Sequence, residues 1–432
     1  MKENNHELSF EEVAKKYPDF PRTIMRKIDT ALRGVILTER ALERAKEEGA
    51  LYDASTDFAQ PVVGGVFFRD GTYVLGLESI TRGFHAPSAT LVRSGEPYLL
   101  DLVDGKLWLL DGEPRSCTQG RGEPVEEVYF APVPKYFYKK TNQGTPMIKV
   151  ISSRAPNRIS INISSGYCHF FKEKLPCKFC NVIPWSLEKG LPPLANLEDI
   201  YETVNEALEE EGGFTSIHLI AGSDPRGGEF YENEVNEYIK VLRTLQRCFG
   251  SAFGGEKINA QAIASAFPRE QLLRLKEAGL SAYRSNLEVW DEKLFQWVCP
   301  GKAKYFGRQY WIDCILSAVE IFGRGNVFTQ LVAGAELARP YGFKTIDEAL
   351  ESNLECVDFF ARNGVYTTFC ILWVDRGSVF YKEKQKLPPL EYYVRLAKSF
   401  NEIRRKYRLS ADFNDYRRDG FHPDTDLARL AP

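Results

Sequence analysis

The 432-residue sequence lacks the features of several large classes of protein. No apolar run approaches the ~18 residues of a membrane-spanning helix. The net charge is only −3, without the basic excess of a general nucleic-acid-binding protein. The N-terminus, MKENNHELSFEEV, is charged and polar, unlike a secretory signal peptide. We therefore expect a cytoplasmic protein that uses neither a membrane nor a nucleic acid as its partner.

Disulfide-rich secreted proteins are also excluded, because nine cysteines in so long a chain do not form a disulfide framework. Six of the nine are isolated along the sequence. Cys314, Cys356 and Cys370 lie in apolar stretches and are predicted to be small buried side chains. The only clustered cysteines are therefore the remaining three.

Those three cysteines, Cys168, Cys177 and Cys180, fall within thirteen residues, in GYCHFFKEKLPCKFCNVIPW. Their spacing is C-x8-C-x2-C, and no second motif of this kind occurs, so we predict one metal site. Three thiolates without an obvious fourth suit a metal cluster with one position left open. An open position on a metal is where chemistry takes place.

A structural zinc site is the alternative interpretation of the same residues. His169 adjoins Cys168, so a Cys3His tetrahedral site is chemically possible. Neighbouring residues on an extended chain point apart, which makes joint ligation by these two awkward. The alternative function is then a zinc-stabilised barrel that serves as a scaffold or binding protein.

The first third of the chain divides into two predicted segments. Residues 1–57 are predicted to be helical, and residues 58–150 form a β-rich extension with short strands. Asp-Gly pairs in this extension favour hairpins because glycine accepts the positive φ of tight turns. These pairs are Asp70-Gly71, Asp104-Gly105 and Asp111-Gly112.

The rest of the chain, residues 151–432, alternates strands with helices. Six strands are predicted, each followed by a helix or turn: RISINIS, FTSIHLIAG, KINAQAIAS, SAYRSNLE, NVFTQLVAG and VYTTFCILWV. This alternation indicates a parallel sheet with helices outside it. The predicted fold class is α/β, a partial (β/α)6 barrel of the TIM type with an N-terminal helical and β-rich extension. Functional residues are then expected at the carboxyl ends of the strands.

Over residues 156–407 the chain resembles the radical S-adenosylmethionine (SAM) enzymes, in the branch similar to biotin synthase and the maturases. The resemblance rests on the cysteine triplet after the first strand, on Phe179 before the last cysteine, and on the series of strand–helix units. The usual family spacing is C-x3-C-x2-C, so the first interval is longer here.

The resemblance implies two cofactors. The three thiolates would hold a 4Fe-4S cluster whose fourth iron binds SAM. An electron from a reductant such as flavodoxin or ferredoxin would then cleave SAM to a 5′-deoxyadenosyl radical. That radical would abstract hydrogen from a small organic substrate in cofactor or metabolite biosynthesis. The other enzymatic alternative is a peptide or RNA substrate.

The resemblance also implies SAM-binding positions. Phe179 would pack near the adenine. Gly222, Ser223 and Asp224 follow the second strand, where the family usually meets the SAM amino group with a small glycine-rich turn. An ordinary turn with Asp224 capping a helix is the structural alternative.

Four further positions come from the later units of the barrel. Asn286 and Glu288 resemble the family's N-L-E segment and are predicted to point to one side of a strand, by its period of two. Gln330 is predicted to point into the barrel, and Arg308 to meet the SAM carboxylate. The structural alternatives are a hydrogen-bonded pair at the barrel lip and an ordinary surface arginine.

Overall fold

The computed structural model describes residues 7–52, 62–63, 65–70, 73–75, 96–112, 122–155, 158–164, 166–188, 190–210, 216–250, 259–409 and 422–430. The α-helices of these residues are α1 Phe10–Lys16, α2 Arg22–Arg33, α3 Glu39–Glu47, α4 Met147–Val150, α5 His169–Lys172, α6 Val182–Glu188, α7 Leu197–Leu208, α8 Glu232–Phe249, α9 Arg269–Glu277, α10 Glu292–Val298, α11 Pro300–Tyr305, α12 Arg308–Phe322, α13 Ile346–Arg362, α14 Val379–Lys382, α15 Leu390–Lys406 and α16 Pro423–Leu430. None of these helices is both long and apolar enough to cross a bilayer.

The strands are β1 Val35–Leu37, β2 Leu51–Tyr52, β3 Val62–Val63, β4 Val66–Phe68, β5 Tyr73–Leu75, β6 Tyr98–Val103, β7 Lys106–Asp111, β8 Glu123–Phe130, β9 Ile151–Ala155, β10 Arg158–Ser164, β11 Ser216–Ala221, β12 Asn259–Ile263, β13 Ala282–Arg284, β14 Val327–Ala333 and β15 Val365–Ile371.

The N-terminal part of the chain builds a six-stranded sheet in the order β1-β6-β7-β8-β4-β5. The prediction that residues 1–57 are helical is wrong for Val35–Leu37, which pairs in parallel with β6. Asp104 and Gly105 form the predicted hairpin turn between β6 and β7, with φ angles of 50° and 77°. The third Asp-Gly pair, at 111–112, ends β7, but the residues that follow lie outside the described part, as does Gly71 of the first pair.

The second sheet has seven strands in the order β15-β14-β13-β12-β11-β10-β9. Strands β10 to β15 are parallel and neighbour one another in chain order, and β9 runs antiparallel to β10 at the edge. Sequential order of this kind is that of a barrel wall, whereas an open doubly wound sheet reverses its order part-way. The predicted partial six-stranded barrel is confirmed, although β13 ends at Arg284, four residues before its predicted end.

The two faces of this sheet differ in polarity. Residues paired across parallel strands point to the same side, so the pairings separate the faces. Ile159, Ile217 and Leu219 lie on the outer face, where they join the helices in the main hydrophobic core. The opposite face, called the barrel interior below, carries many polar groups. Its side chains include Ser160, Asn162, His218, Ile220, Gln261, Ile263, Arg284, Gln330, Thr368 and Cys370.

Buried ion pairs connect the C-terminal helices to the rest of the chain. Arg404 on α15 pairs with Asp424 on α16, and Lys27 on α2 pairs with Asp426 at 2.5 Å. All four side chains are at most 5% exposed. A buried pair contributes to the specificity of packing because neither charge can be left alone without a large cost. Helix α2 is thereby fixed against the C-terminal end of the chain.

Candidate functional site

The cysteine loop begins where β10 ends, at the carboxyl edge of the barrel. Cys168 is the N-terminal cap of the short helix α5, and the backbone N–H of Cys180 donates to the carbonyl of Cys177 at 3.0 Å. Within the long first interval, residues 171–174 are all exposed to solvent. The unusual spacing therefore includes a turn on the surface, whereas the three cysteines are only partly exposed.

Backbone hydrogen bonds anchor the cysteine loop to three other parts of the barrel. The N–H of His169 donates to the carbonyl of Ser223 at 2.7 Å, just after β11. The N–H of Lys178 donates to Val298 at 2.8 Å, at the end of α10, and its carbonyl accepts from Phe380 at 2.9 Å, on α14. Side chains contribute to none of these bonds, so the anchoring depends on the course of the backbone.

Gly222 packs directly against the cysteine loop. A Cβ atom at this position would lie 1.9 Å from the carbonyl oxygen of Tyr167 and 3.1 Å from the Cβ of Cys168. The Gly222 N–H also donates to the Ser164 hydroxyl at 3.0 Å. Only glycine allows this approach of two backbones. The predicted turn after β11 therefore lies against the cysteine loop at Tyr167 and Cys168.

Glu234, on α8, supports this turn, and the sequence analysis did not identify it. Its buried carboxylate accepts from the Asp224 N–H at 2.9 Å and from the Ser265 N–H and hydroxyl at 3.1 and 2.8 Å. The Ser265 hydroxyl also lies 2.8 Å from that of Ser223. Burial raises the pKa of Glu234 to about 7. The carboxylate thus joins the ends of β11 and β12.

Asp224 faces a different partner. Its carboxylate accepts from the guanidinium of Arg226 at 2.7 and 2.9 Å. Burial alone would raise the pKa of Asp224, but the Arg226 hydrogen bonds lower it below its usual value. Asp224 is therefore a charged group paired with Arg226, and the structural alternative, in which Asp224 caps a helix, does not describe it.

The three thiols of the motif interact electrostatically. Burial, together with the nearby thiols of Cys177 and Cys168, raises the pKa of Cys180 to about 12. Burial also raises the pKa of Cys168. The pKa of Cys177 is lowered instead, first because the thiol of Cys299 hydrogen-bonds to it. The site therefore contains a fourth, fully buried thiol that the sequence showed only as an isolated cysteine.

Lys302 on α11 joins the two residues of the predicted N-L-E segment. Its ammonium group lies 3.0 Å from a carboxylate oxygen of Glu288 and 2.7 Å from the backbone carbonyl of Asn286. The predicted strand alternation is wrong here, because β13 has ended and Glu288 has a φ of 74°. The two residues meet through the lysine, which also lowers the pKa of Cys177.

The remaining predicted residues lie farther along the site. Phe179 is half-buried in the turn between the last two cysteines. Gln330 faces the barrel interior as predicted and accepts from Arg284 at 3.3 Å. Arg308, half-buried, donates to the carbonyl of Trp290 at 2.5 Å and stacks on its ring at 4.1 Å. The structure therefore gives Arg308 a local anchoring contact, and its SAM contact stays a prediction.

The chemistry of the donor set suits an iron–sulfur cluster. Thiolates are soft ligands that favour iron–sulfur clusters, copper(I) and zinc. Among the described residues, no three His, Cys, Asp or Glu side chains converge as the ligands of one metal ion must. In a 4Fe-4S cluster each thiolate binds a different iron, so convergence on one point is not required. The ring of His169, the fourth ligand of the alternative zinc site, packs edge-on against Tyr305, with centroids 5.1 Å apart.

The comparisons with known proteins give distant similarities. No family model matches the sequence. Bacteriochlorophyllide c C-7(1)-hydroxylase of Chlorobaculum limnaeum is 24% identical over 207 residues, which cover 45% of this chain and 49% of that protein. The chain thus spans about half the length of the curated relative it matches.

Several solved structures are also similar in fold. A radical SAM methyltransferase from Sphaerobacter thermophilus is 15% identical, with 93% of this chain and 92% of that one covered and a TM-score of 0.37. The FeFe-hydrogenase maturase HydG from Carboxydothermus hydrogenoformans is 14% identical, covers 57% and 52% and has a TM-score of 0.42. Methylornithine synthase is 15% identical, covers 57% and 68% and has a TM-score of 0.38. These TM-scores lie below 0.5, so the function proposed below is derived from the chain's own residues.

Proposed function

We propose that this protein is a radical SAM enzyme that acts on a small organic substrate. Cys168, Cys177 and Cys180 would hold a 4Fe-4S cluster, with SAM on its fourth iron. Bound there, the cluster and SAM would supply a 5′-deoxyadenosyl radical, which removes a hydrogen atom from the substrate. The observation that carries the proposal is the docking of Gly222 against a three-thiol loop at the carboxyl edge of a partial barrel.

The protein's own residues would divide the work of binding. The turn from Gly222 to Asp224 would receive the SAM amino group, because it packs against the cysteine loop and Glu234 holds it in place. Phe179 would pack near the adenine. The side-chain oxygen of Asn286 has no hydrogen-bond partner among the described residues, and we assign it to SAM.

Glu288 would act together with Lys302. A buried carboxylate needs a counter-charge, and Lys302 supplies one at 3.0 Å. The same lysine offsets negative charge at Cys177. We therefore assign Glu288 to the SAM site and Lys302 to the support of both the carboxylate and the cluster.

The proposal extends to the partners of the enzyme. A one-electron reductant such as flavodoxin or ferredoxin would deliver electrons to the cluster. All eight cysteines in the described residues are free thiols, which suits a reducing compartment, and we propose the cytoplasm. The substrate and the biosynthetic role of the hydroxylase similar to this chain do not transfer, because only half of that protein is matched.

The decisive experiment is anaerobic reconstitution with iron and sulfide, followed by incubation with SAM and dithionite. We expect a brown protein that releases 5′-deoxyadenosine. Cys177→Ala should lose the cluster and the nucleoside, because two thiolates hold it poorly. Cys248→Ala is the matched control, since Cys248 lies on α8, outside the cysteine loop, and should leave both unchanged.

Two other outcomes would identify the alternatives. One zinc ion per chain without nucleoside would favour the zinc-stabilised scaffold. Full iron content in Cys177→Ala would show that this thiol is not a ligand, and the proposed cluster site would be wrong.

A further inference from the structure

Part of the barrel interior is accessible to solvent. One side chain from each of five strands is half-exposed: Asn162, Ile220, Ile263, Gln330 and Cys370. Strand pairing places all of them on the inner face of the sheet. The neighbouring outer-face residues of the same strands are buried against helices. A ring of accessible residues on the concave face marks a space that a small molecule can enter.

Below this ring, the barrel interior has a layer of buried polar side chains, called the floor here: Ser160, Gln261 and Thr368. Their side-chain polar atoms have no hydrogen-bond partners in the described part of the chain. Ser160 precedes Asn162 by two residues on β10, and Gln261 precedes Ile263 by two residues on β12. His218 on β11 lies between them and pairs in register with both. Ser160 and Gln261 are 0% exposed, and no described residue hydrogen-bonds to the Ser160 hydroxyl or to either end of the Gln261 amide. Thr368, also 0% exposed on the inner face, has a hydroxyl that is likewise unpartnered among these residues.

Buried polar groups without hydrogen-bond partners lower the stability of a fold unless a bound molecule supplies the missing hydrogen bonds. Buried polar atoms are nearly always hydrogen-bonded, so a group of them without partners is a place where a bound water, ion or ligand would complete the hydrogen bonds. The outer-face residues of β10 and β12, the strands of Ser160 and Gln261, are apolar, so on these two strands the unpartnered polar atoms are confined to the side that faces the accessible space.

We propose that the barrel interior binds a polar substrate with a carboxamide-like group, and that Gln261 recognises this group. The amide of Gln261 offers one acceptor and one donor pair, all unpaired within the described residues. Its complement is a group that donates and accepts side by side, such as a carboxamide, a lactam or the edge of a nucleobase. The ligand's identity as the substrate rests on the function proposed above, whereas the binding site itself does not.

The stability of variants tests the site without SAM or catalysis. In the full-length chain at matched iron content, Gln261→Met should raise the melting temperature by about 2–4 °C, because it removes unpaired buried polar atoms. Gln271→Met is the matched control, since Gln271 is 3% exposed but paired at both ends, with Phe230 at 3.2 Å and Arg274 at 2.7 Å. It should lower the melting temperature.

Two substituted benzenes, one with a carboxamide group and one with a methyl group, then test the chemical class. Benzamide at millimolar concentration should raise the melting temperature of the wild type, and toluene should not. Gln261→Met should lose the response to benzamide, and Gln271→Met should keep it.

Each contrary result overturns the inference. A melting temperature of Gln261→Met equal to or below that of the wild type would show that the amide stabilises the fold. Equal responses to benzamide and toluene, or no response to benzamide, would exclude carboxamide recognition by this floor. Release of 5′-deoxyadenosine, which tests the proposed function, is measured separately and can fail while these results hold.

Discussion

Lys302→Met is the substitution whose effect follows most directly from the contacts around the site. The lysine is 6% exposed and its ammonium group lies 3.0 Å from Glu288, 2.7 Å from the carbonyl of Asn286 and 4.4 Å from the ring of Trp311. Burial alone would lower the pKa of Lys302, but the carboxylate of Glu288 and the nearby thiols raise it. The lysine is therefore charged, and methionine of similar length removes the charge and its hydrogen bonds while it keeps most of the apolar side chain.

The expected magnitude comes from the distance and the burial of the pair. Coulomb's law with an effective dielectric constant of about 20 gives an attraction of about 5.5 kcal/mol at 3.0 Å. Removing one partner leaves a buried carboxylate alone, which typically costs about 3–5 kcal/mol. We expect Lys302→Met to lower the free energy of unfolding by that amount. Combining it with Glu288→Gln should restore most of the loss.

Urea unfolding followed by far-UV circular dichroism measures these free energies. Lys304→Met is the control, because Lys304 is an exposed residue on the same helix and should change stability by no more than about 0.5 kcal/mol. A loss below about 1 kcal/mol in Lys302→Met, or a double variant as unstable as the single one, would refute the assignment of a coupled buried pair.

Three further predictions concern the cysteine loop and its support. Gly222→Ala should lower both iron incorporation and melting temperature, because the new Cβ would meet the backbone of Tyr167 at 1.9 Å. In Gly228→Ala the atom nearest to the new Cβ, at 3.1 Å, lies at the flexible end of an acidic side chain, so both quantities should stay unchanged. The pKa of Glu234 is about 7 in the fold against 4.5 unfolded, so its contribution to stability is full below pH 4.5 and declines by about 3 kcal/mol as the pH rises through 7. Glu234→Gln should abolish that part of the slope in melting temperature against pH, and an identical slope would exclude it. Phe179→Ala should weaken SAM binding by about tenfold to a hundredfold in calorimetry at unchanged iron content, because the aromatic ring no longer buries apolar surface of the adenine; unchanged affinity would remove Phe179 from the site.

Regular patterns in the sequence predicted the barrel well. Six apolar segments, each separated by an amphipathic helix, correspond to β10 through β15 in that order. Cys314 and Cys356 are buried, as their apolar surroundings predicted, whereas Cys370 is half-exposed toward the barrel interior. The periodicity and hydrophobicity of a segment are local properties, so they can be recognised in the sequence without a structure.

The contacts that complete the site could not be predicted, because they join residues far apart in the chain. Lys302 reaches Glu288 only because α11 folds back over the end of β13. Cys299 appeared isolated, and its contact with Cys177 depends on a backbone bond between the cysteine loop and α10. Val35–Leu37 was predicted as helix because its strand partner lies more than sixty residues later.

The surface turn at 171–174 has a bearing on how this protein could be re-engineered. The main-chain hydrogen bonds of His169 and Lys178 hold the two ends of the loop. The solvent-facing residues between them therefore contribute little to the position of the loop. A tag, a fluorophore or a shorter linker placed there would leave the three thiols of the motif where they are. The exposed part of the long first interval is therefore also the part of the loop most open to replacement.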